Sequence, residues 1–181
     1  MNEAKLEHRI KMLYKMLCKL SPLFSNDLNE DEKALLTTTV GAAIWYLPGG
    51  ISLWSGYISK KAIESIPYEK KGDIKLTPEH RYPRKIAAEE LLNIDWDEKK
   101  DPELFLKKKY LKEYGVFNYV TSEENKRLTA EQKVKKFTNW NTAYKNANIN
   151  LIKCTHEQLK SLKRRDRNTR DYLLGNANLL F

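Results

Sequence analysis

The segment "FNYVTSEENKRL", residues 117–128, predicts a strand that runs directly into a helix. Its first part, together with the valine before it, is almost entirely β-branched or aromatic, which is typical of a strand. A helix is expected to start immediately afterwards, with Thr121 or Ser122 as its cap. The acidic residues that follow lie in the first helical turn, where they interact favourably with the helix dipole.

A second strand is predicted upstream, in "GDIKLTPEHRYP", residues 72–83. Ile74 and Leu76 alternate with polar residues after a glycine turn, as in a half-buried strand. The residues between the two strands, "RKIAAEELLNI" and "DPELFLKKKYLKEYG", have the pattern of two helices, the second beginning at Asp101 and ending at Gly115. The middle of the chain therefore predicts two strands and a helix, with a helical insertion over about 86–115.

Helices are predicted on both sides of this core. Residues 3–20 and about 32–46 form the first two, the second capped by Asn29 or Asp31, and "SGYISKKAIESI" (55–66) forms a third, capped by Ser59. The pattern of residues 130–149 continues as helix, and a capping box at Thr155 and Gln158 begins the basic C-terminal segment. The predicted fold is therefore α+β and mostly α-helical.

We expect one domain, because 181 residues are close to the size of an ordinary domain. Its predicted parts are an N-terminal helical part (1–72), the core (73–130) and basic C-terminal helices (131–181). No CxxC pair accompanies Cys18 and Cys154, so neither a structural zinc nor a disulfide framework is expected.

The charge of the chain favours a polyanionic partner. Lys and Arg number 33 against 24 Asp and Glu, which gives a formal net charge of +9. Neutralising phosphates releases counterions, so nucleic acid is the first candidate partner. No apolar run approaches the roughly 18 residues of a membrane span, and the N-terminal segment does not resemble a secretory signal. We therefore expect no membrane partner and a cytoplasmic location.

The segment "EHRYPRK", residues 79–85, contains the groups that phosphodiester hydrolysis needs. A histidine with a pKa near neutrality can remove a proton from water, and an adjacent carboxylate can bind a divalent cation. His80 and Glu79 provide this pair, whereas His8 and His156 lie on polar helical segments and are expected to be solvated. The cations of the same segment can hold an anionic backbone.

This segment resembles the first motif of the HNH branch of the His-Me finger nucleases, the ββα-metal family. Residues 117–128 resemble the closing strand and helix of that family, in which "VT-x-EEN-x-x-L" is a common variant. The resemblance implies that His80 is the general base and that Glu79 and Asn125 bind a divalent cation, Mg²⁺ or Mn²⁺. It also implies that Asn118 orients the histidine. The motif is compact in the family, whereas about 45 residues separate His80 from Asn125 here.

The expected function is therefore that of a metal-dependent endonuclease acting on double-stranded DNA. A chain of this size would be a restriction-type nuclease or one from a phage or mobile element, in a bacterial or phage-like setting. Cutting both strands with one site per chain favours a symmetric dimer. The predicted nucleic-acid contacts are all cationic: Arg81, Arg84, Lys85, Lys126, Lys163, Arg164, Arg165 and Arg167.

Other functions are compatible with the same residues. In a non-catalytic DNA- or RNA-binding protein, the cations would only bind phosphates and His80 would be dispensable. A helical interaction module, similar to an inhibitor or antitoxin, would expose an apolar patch, for example in "NANLLF" (176–181). A ribonuclease would use the same base without a strict need for metal. Without any function, Glu79 and His80 would be a surface ion pair at the end of a strand.

Overall fold

The computed structural model describes residues 3–47, 53–67, 74, 76–134, 137–176 and 180. In chain order, its helices are α1 (Glu3–Leu20), α2 (Glu30–Trp45), α3 (Lys60–Glu64), α4 (Arg84–Leu92), α5 (Pro102–Lys109), α6 (Ser122–Val134), α7 (Trp140–Asn146), α8 (His156–Lys163) and α9 (Arg167–Gly175). Its strands are β1 (Trp54–Ser59), β2 (Thr77–His80), β3 (Phe117–Val120) and β4 (Leu151–Lys153). A 3₁₀ turn covers Ser21–Leu23 and a π-helical turn covers Tyr110–Tyr114. The predicted fold class, α+β and mostly α-helical, is confirmed.

The chain divides into two compact units. The first unit contains residues 1–53 and 80–116, and the second contains residues 54–79 and 117–181. The predictions of a single domain and of its parts 1–72, 73–130 and 131–181 stay predictions.

The first unit packs α1, α2, α4 and α5 around one core. The apolar residues of α1 recur at spacings of three and four, so they lie on one face and are buried there. Asn29, one of the two predicted caps, precedes α2 and forms a reciprocal capping box with Glu32. The buried apolar side chains of this unit are Leu6, Ile10, Leu13, Leu17, Val40, Ile44, Leu47, Ala87, Ala88, Leu91, Leu92, Trp96, Leu106, Tyr110 and Tyr114.

Gly115 ends the helical segment that begins with α5. The structure requires glycine there because of the space around it and not because of its backbone conformation. The Gly115 N–H donates to the Tyr110 carbonyl at 2.8 Å, five residues back, which closes the π-helical turn. The φ angle of Gly115 is −87°, which any residue can adopt. A Cβ at this position would lie 2.5 Å from Leu53 Cδ1 and 2.7 Å from Tyr110 Cζ. Glycine is therefore required by the lack of space.

The second unit contains the sheet, with strand order β2-β3-β1-β4. Strand β1 pairs in parallel with β3 (Ile58 opposite Tyr119) and antiparallel with β4 (Ile58 opposite Ile152). Strand β3 passes into α6 after the single residue Thr121, and β2 is its hydrogen-bonded neighbour. The predicted order of two strands and a helix, with helices inserted between the strands, is therefore observed. Strand β2 begins at Thr77, however, after Ile74 and Leu76, whose alternation predicted it.

The prediction of helix for residues 55–59 is wrong. These residues belong to β1, which lies between two other strands, so the hydrogen bonds of the sheet outweigh the local pattern. The helix begins only at Lys60, and the predicted cap is confirmed, since Ser59 Oγ accepts from the Ala62 N–H. The four-stranded sheet therefore contains two strands more than the sequence predicts.

The predicted continuous helix over 130–149 is also wrong. Helix α6 ends at Val134, and Asn139 caps a separate helix α7. Asn148 then adopts a φ of 52°, and the N–H of Ile149 donates to the carbonyl of Tyr144 at 3.0 Å. This left-handed residue turns the chain into the unpredicted strand β4.

No helix in the described part of the chain has the length and apolarity needed to cross a membrane. Both cysteines are free thiols. Cys154 is buried in the core of the second unit, and this burial raises its pKa to about 12. It therefore behaves as a small apolar core residue.

Candidate active site

His80 lies at the end of β2 and contacts the backbone of the π-helical turn. Its Nδ1 atom is 3.2 Å from the carbonyl oxygen of Tyr114. A carbonyl oxygen only accepts hydrogen bonds, so Nδ1 carries the proton in this contact. In the neutral ring, Nε2 then carries the lone pair, which is the form that a general base needs.

Burial lowers the pKa of His80. The Tyr114 carbonyl opposes this effect because it stabilises the protonated ring, and the positive charge of Arg84 lowers the pKa further. The net direction is downward, so His80 is neutral at pH 7.

The residue whose carbonyl contacts His80 is itself held by a carboxylate. Glu90 of α4 accepts a hydrogen bond from the Tyr114 hydroxyl at 2.9 Å and another from the Tyr82 hydroxyl. Burial and the adjacent Glu90 raise the pKa of both tyrosines, so both hydroxyls remain donors. Glu90 therefore connects "EHRYPRK" to the turn that orients its histidine.

Trp45, the last residue of α2, contacts two of the predicted site residues. Its ring centroid is 4.6 Å from that of His80, in an edge-on arrangement. The Arg84 guanidinium carbon lies 4.7 Å from the centroid of the same indole ring. The sequence alone does not indicate a role for Trp45, because no motif or spacing relates the end of α2 to residues 79–85.

The three cations of "EHRYPRK" have different environments. Arg84 and Lys85 are exposed in the first turn of α4, which has neither an acidic residue nor a side-chain cap. Cations are unfavourable at this end of a helix, and an anion bound there would relieve the repulsion. Arg81 is only partly exposed, and its Nη2 atom is enclosed. Arg84 and Lys85 are therefore better placed than Arg81 to contact a phosphate.

The predicted metal ligands and Asn118 belong to the second unit. The Glu79 carbonyl accepts a 3.5 Å contact from the Tyr144 hydroxyl of α7, which ties β2 to the rest of this unit. Asn118 is fully buried, and its Oδ1 accepts a 2.5 Å hydrogen bond from Ser55 of β1. Its implied role in orienting the histidine stays a prediction.

Asn125 has a buried oxygen with no hydrogen bond. Within the described residues, its Oδ1 has no partner, although nearly all buried polar atoms in proteins do. The residue lies one turn into α6, where its backbone N–H donates to the Thr121 carbonyl at 3.0 Å. A hard oxygen donor without a partner fits a hard cation such as Mg²⁺.

The described residues contain no group of three or more His, Cys, Asp or Glu side chains arranged to bind a metal. An amide oxygen such as that of Asn125 is not one of these groups. Mg²⁺ usually keeps several waters and binds few protein ligands together with phosphate oxygens. Such an ion does not require a group of three side chains of these types.

The sequence predicts Glu124, the residue before Asn125, only as an acidic residue in the first turn of the helix. The structure gives it a further role. It is buried and completes a capping box with Thr121, whose N–H donates to Glu124 Oε2 at 2.9 Å. The Thr121 hydroxyl in turn accepts from the Glu124 N–H at 3.1 Å. The Thr-x-x-Glu spacing was the signal that could have revealed this pair.

The remaining predicted contacts lie in the second unit. Lys126 is exposed on α6, and the Lys163 ammonium lies 5.2 Å from the centre of the Tyr119 ring. The exposed Arg164 and the half-buried Arg165 lie in the turn after α8, and Arg167 is exposed at the start of α9. The φ angle of Arg165 is 64°, in the left-handed region. Four predicted contacts therefore lie in or beside one basic turn.

A scan against models of protein families, a search of curated proteins and a search of solved structures find no match to this chain.

Proposed function

We propose that this protein is a metal-dependent endonuclease that hydrolyses phosphodiester bonds of DNA, with His80 as the general base. The observation that supports this most strongly is the 3.2 Å contact between His80 Nδ1 and the Tyr114 carbonyl. It fixes the tautomer in which Nε2 can accept a proton.

In this mechanism, His80 Nε2 takes a proton from the attacking water. The Tyr114 carbonyl accepts a hydrogen bond from Nδ1 throughout, so it stabilises the imidazolium that forms. Arg84 and Lys85 bind the phosphate, because they are the exposed cations nearest to His80 in the sequence.

Glu79 and Asn125 would hold the divalent cation, Mg²⁺ or Mn²⁺. When bound, such a cation neutralises charge on the phosphate and stabilises the leaving oxyanion. The buried oxygen of Asn125, which has no partner in the described part of the chain, supports this role. A role of Asn118 in orienting the histidine is implied only by the resemblance to the HNH nucleases.

The proposed substrate is double-stranded DNA, in keeping with the net charge of +9. A symmetric dimer with one site per chain would cut both strands. A restriction-type, phage or mobile-element nuclease acting in the cytoplasm remains our proposal for its biological setting.

The test is incubation of the purified protein with a long duplex DNA in Mg²⁺, in Mn²⁺ and in chelator. We expect metal-dependent cutting that is lost in His80→Ala, since this change removes the base. His8→Ala is the matched control, because His8 is exposed on α1, and it should cut normally. Circular dichroism of both variants checks that the fold is retained.

Absence of cutting by the wild-type protein in every metal would contradict the proposal. Retained DNA binding in that case would support the second candidate, a non-catalytic nucleic-acid-binding protein. The basic turn at Arg164, Arg165 and Arg167 favours this alternative, because these cations can bind phosphates without any catalytic group. The same assay with RNA in chelator tests the ribonuclease alternative, because a ribonuclease would cut RNA without a strict need for metal.

A further inference from the structure

Two adjacent aromatic side chains are exposed at the C-terminal end of α2. Trp45 has 42% of its surface exposed, and Tyr46 has 71%. Large aromatic side chains contribute most when buried, and neither of these is among the buried residues that form the core of the first unit. Their position therefore needs an explanation other than the stability of this core.

The aromatic pair lies among cations. Arg84 lies over the Trp45 ring, with its guanidinium carbon 4.7 Å from the ring centroid. Arg9 of α1 donates a hydrogen bond from Nη1 to the carbonyl of Tyr46. Lys85 follows Arg84 in the exposed first turn of α4. An anionic ligand that also has flat apolar faces would match this combination of groups.

Nucleic acid has this chemistry, and its unpaired bases fit better than a duplex. An indole stacks on the face of a base, and in a regular duplex these faces are covered by neighbouring bases. A base outside the stack can offer its face to Trp45, while its phosphates can contact Arg84 and Lys85. The contact between Trp45 and His80, with ring centroids 4.6 Å apart, places this stacking surface beside the proposed base.

We propose that Trp45 is a stacking platform for an unpaired nucleobase next to the cleaved bond. This inference rests on the proposed function, because that function places a reacting phosphate beside the stacking platform. It narrows the substrate to DNA with a base outside the stack, at a strand end, a gap or an extruded nucleotide.

The test measures binding without catalysis, in chelator. A dodecamer of deoxythymidylate is titrated into the protein while tryptophan emission and anisotropy of a labelled strand are recorded. We expect the oligonucleotide to quench the emission, and Trp45→Phe to lose most of that quenching while binding is retained. Trp45→Ala should weaken binding by about 5- to 150-fold, as expected for one lost stacking contact.

Tyr172→Ala is the matched control, because Tyr172 is an aromatic residue of α9 with 59% of its surface exposed. It should bind the oligonucleotide as the wild-type protein does. Equal quenching by polyphosphate, which has no bases, would overturn the platform, as would unchanged affinity of Trp45→Ala or a failure to bind the oligonucleotide. If the wild-type protein cuts no DNA but the oligonucleotide still quenches its emission, the proposed nuclease activity is refuted and the proposed stacking platform is not.

Discussion

The Ser59 hydroxyl donates a 2.5 Å hydrogen bond to the Glu124 carboxylate, and this bond connects the caps of two helices. Ser59 Oγ also accepts from the Ala62 N–H at the start of α3. Glu124 accepts from the N–H of Thr121 at the start of α6. The two parallel strands β1 and β3 therefore continue into helices whose first turns share one buried carboxylate.

Glu124→Ala should lower the free energy of unfolding by about 3 kcal/mol, since hydrogen bonds to charged groups and helix caps are both lost. Urea denaturation followed by circular dichroism measures this. Glu123→Ala is the control, because Glu123 is exposed in the same turn, and it should cost less than about 1 kcal/mol. Equal losses in the two variants would show that the bond to Ser59 contributes nothing.

Gly115→Ala should destabilise the protein by about 1–3 kcal/mol, because the added methyl group has no space beside Leu53 and Tyr110. The change should also reduce DNA cutting, since Gly115 follows the residue whose carbonyl contacts His80. Thermal or urea unfolding gives the first result, and the cutting assay with long duplex DNA gives the second. Gly175→Ala, where a Cβ would meet nothing within 4 Å, should leave both unchanged or raise the stability slightly.

Asn125→Leu should raise the free energy of unfolding in chelator by about 1 kcal/mol, because the variant no longer buries an oxygen without a hydrogen bond. The same variant should lose metal-dependent cutting. A gain in stability combined with a loss of activity is the signature of a functional polar residue. Lys126→Leu, on the exposed side of the same helix, should show no such gain. If Asn125→Leu is clearly less stable than the wild-type protein, then Asn125 is structural.

Arg165→Gly should stabilise the protein by about 1 kcal/mol, because glycine adopts the left-handed conformation without the steric cost that arginine has. If Arg165 binds a phosphate, the same change should reduce the slope of log affinity against log salt by about 0.9. Binding to duplex DNA over a range of salt concentrations measures this slope. Arg165→Lys keeps the charge and should keep the slope. An unchanged slope in Arg165→Gly would exclude Arg165 from the interface.

The sequence predicts well those features that depend on residues three or four positions apart. The buried stripe of α1 and the caps at Asn29, Thr121 and Thr155 are all observed where the pattern places them. Each depends on a side chain and a backbone group in the same turn, so the local sequence contains the information. The order of two strands and a helix in the middle of the chain is predictable for the same reason.

The sequence does not predict strands β1 and β4, because each is stabilised by pairing with a strand distant in the chain. Residues 55–59 resemble the start of a helix until their pairing with β3 and β4 is known. The two residues of the Ser59–Glu124 bond are 65 positions apart, and no local pattern relates them. The sequence by itself thus determined the local helices and the two short motifs. Only the tertiary structure decided which strands pair, which carbonyl contacts His80, and that Trp45 lies beside it, because these contacts join segments that come together only on folding.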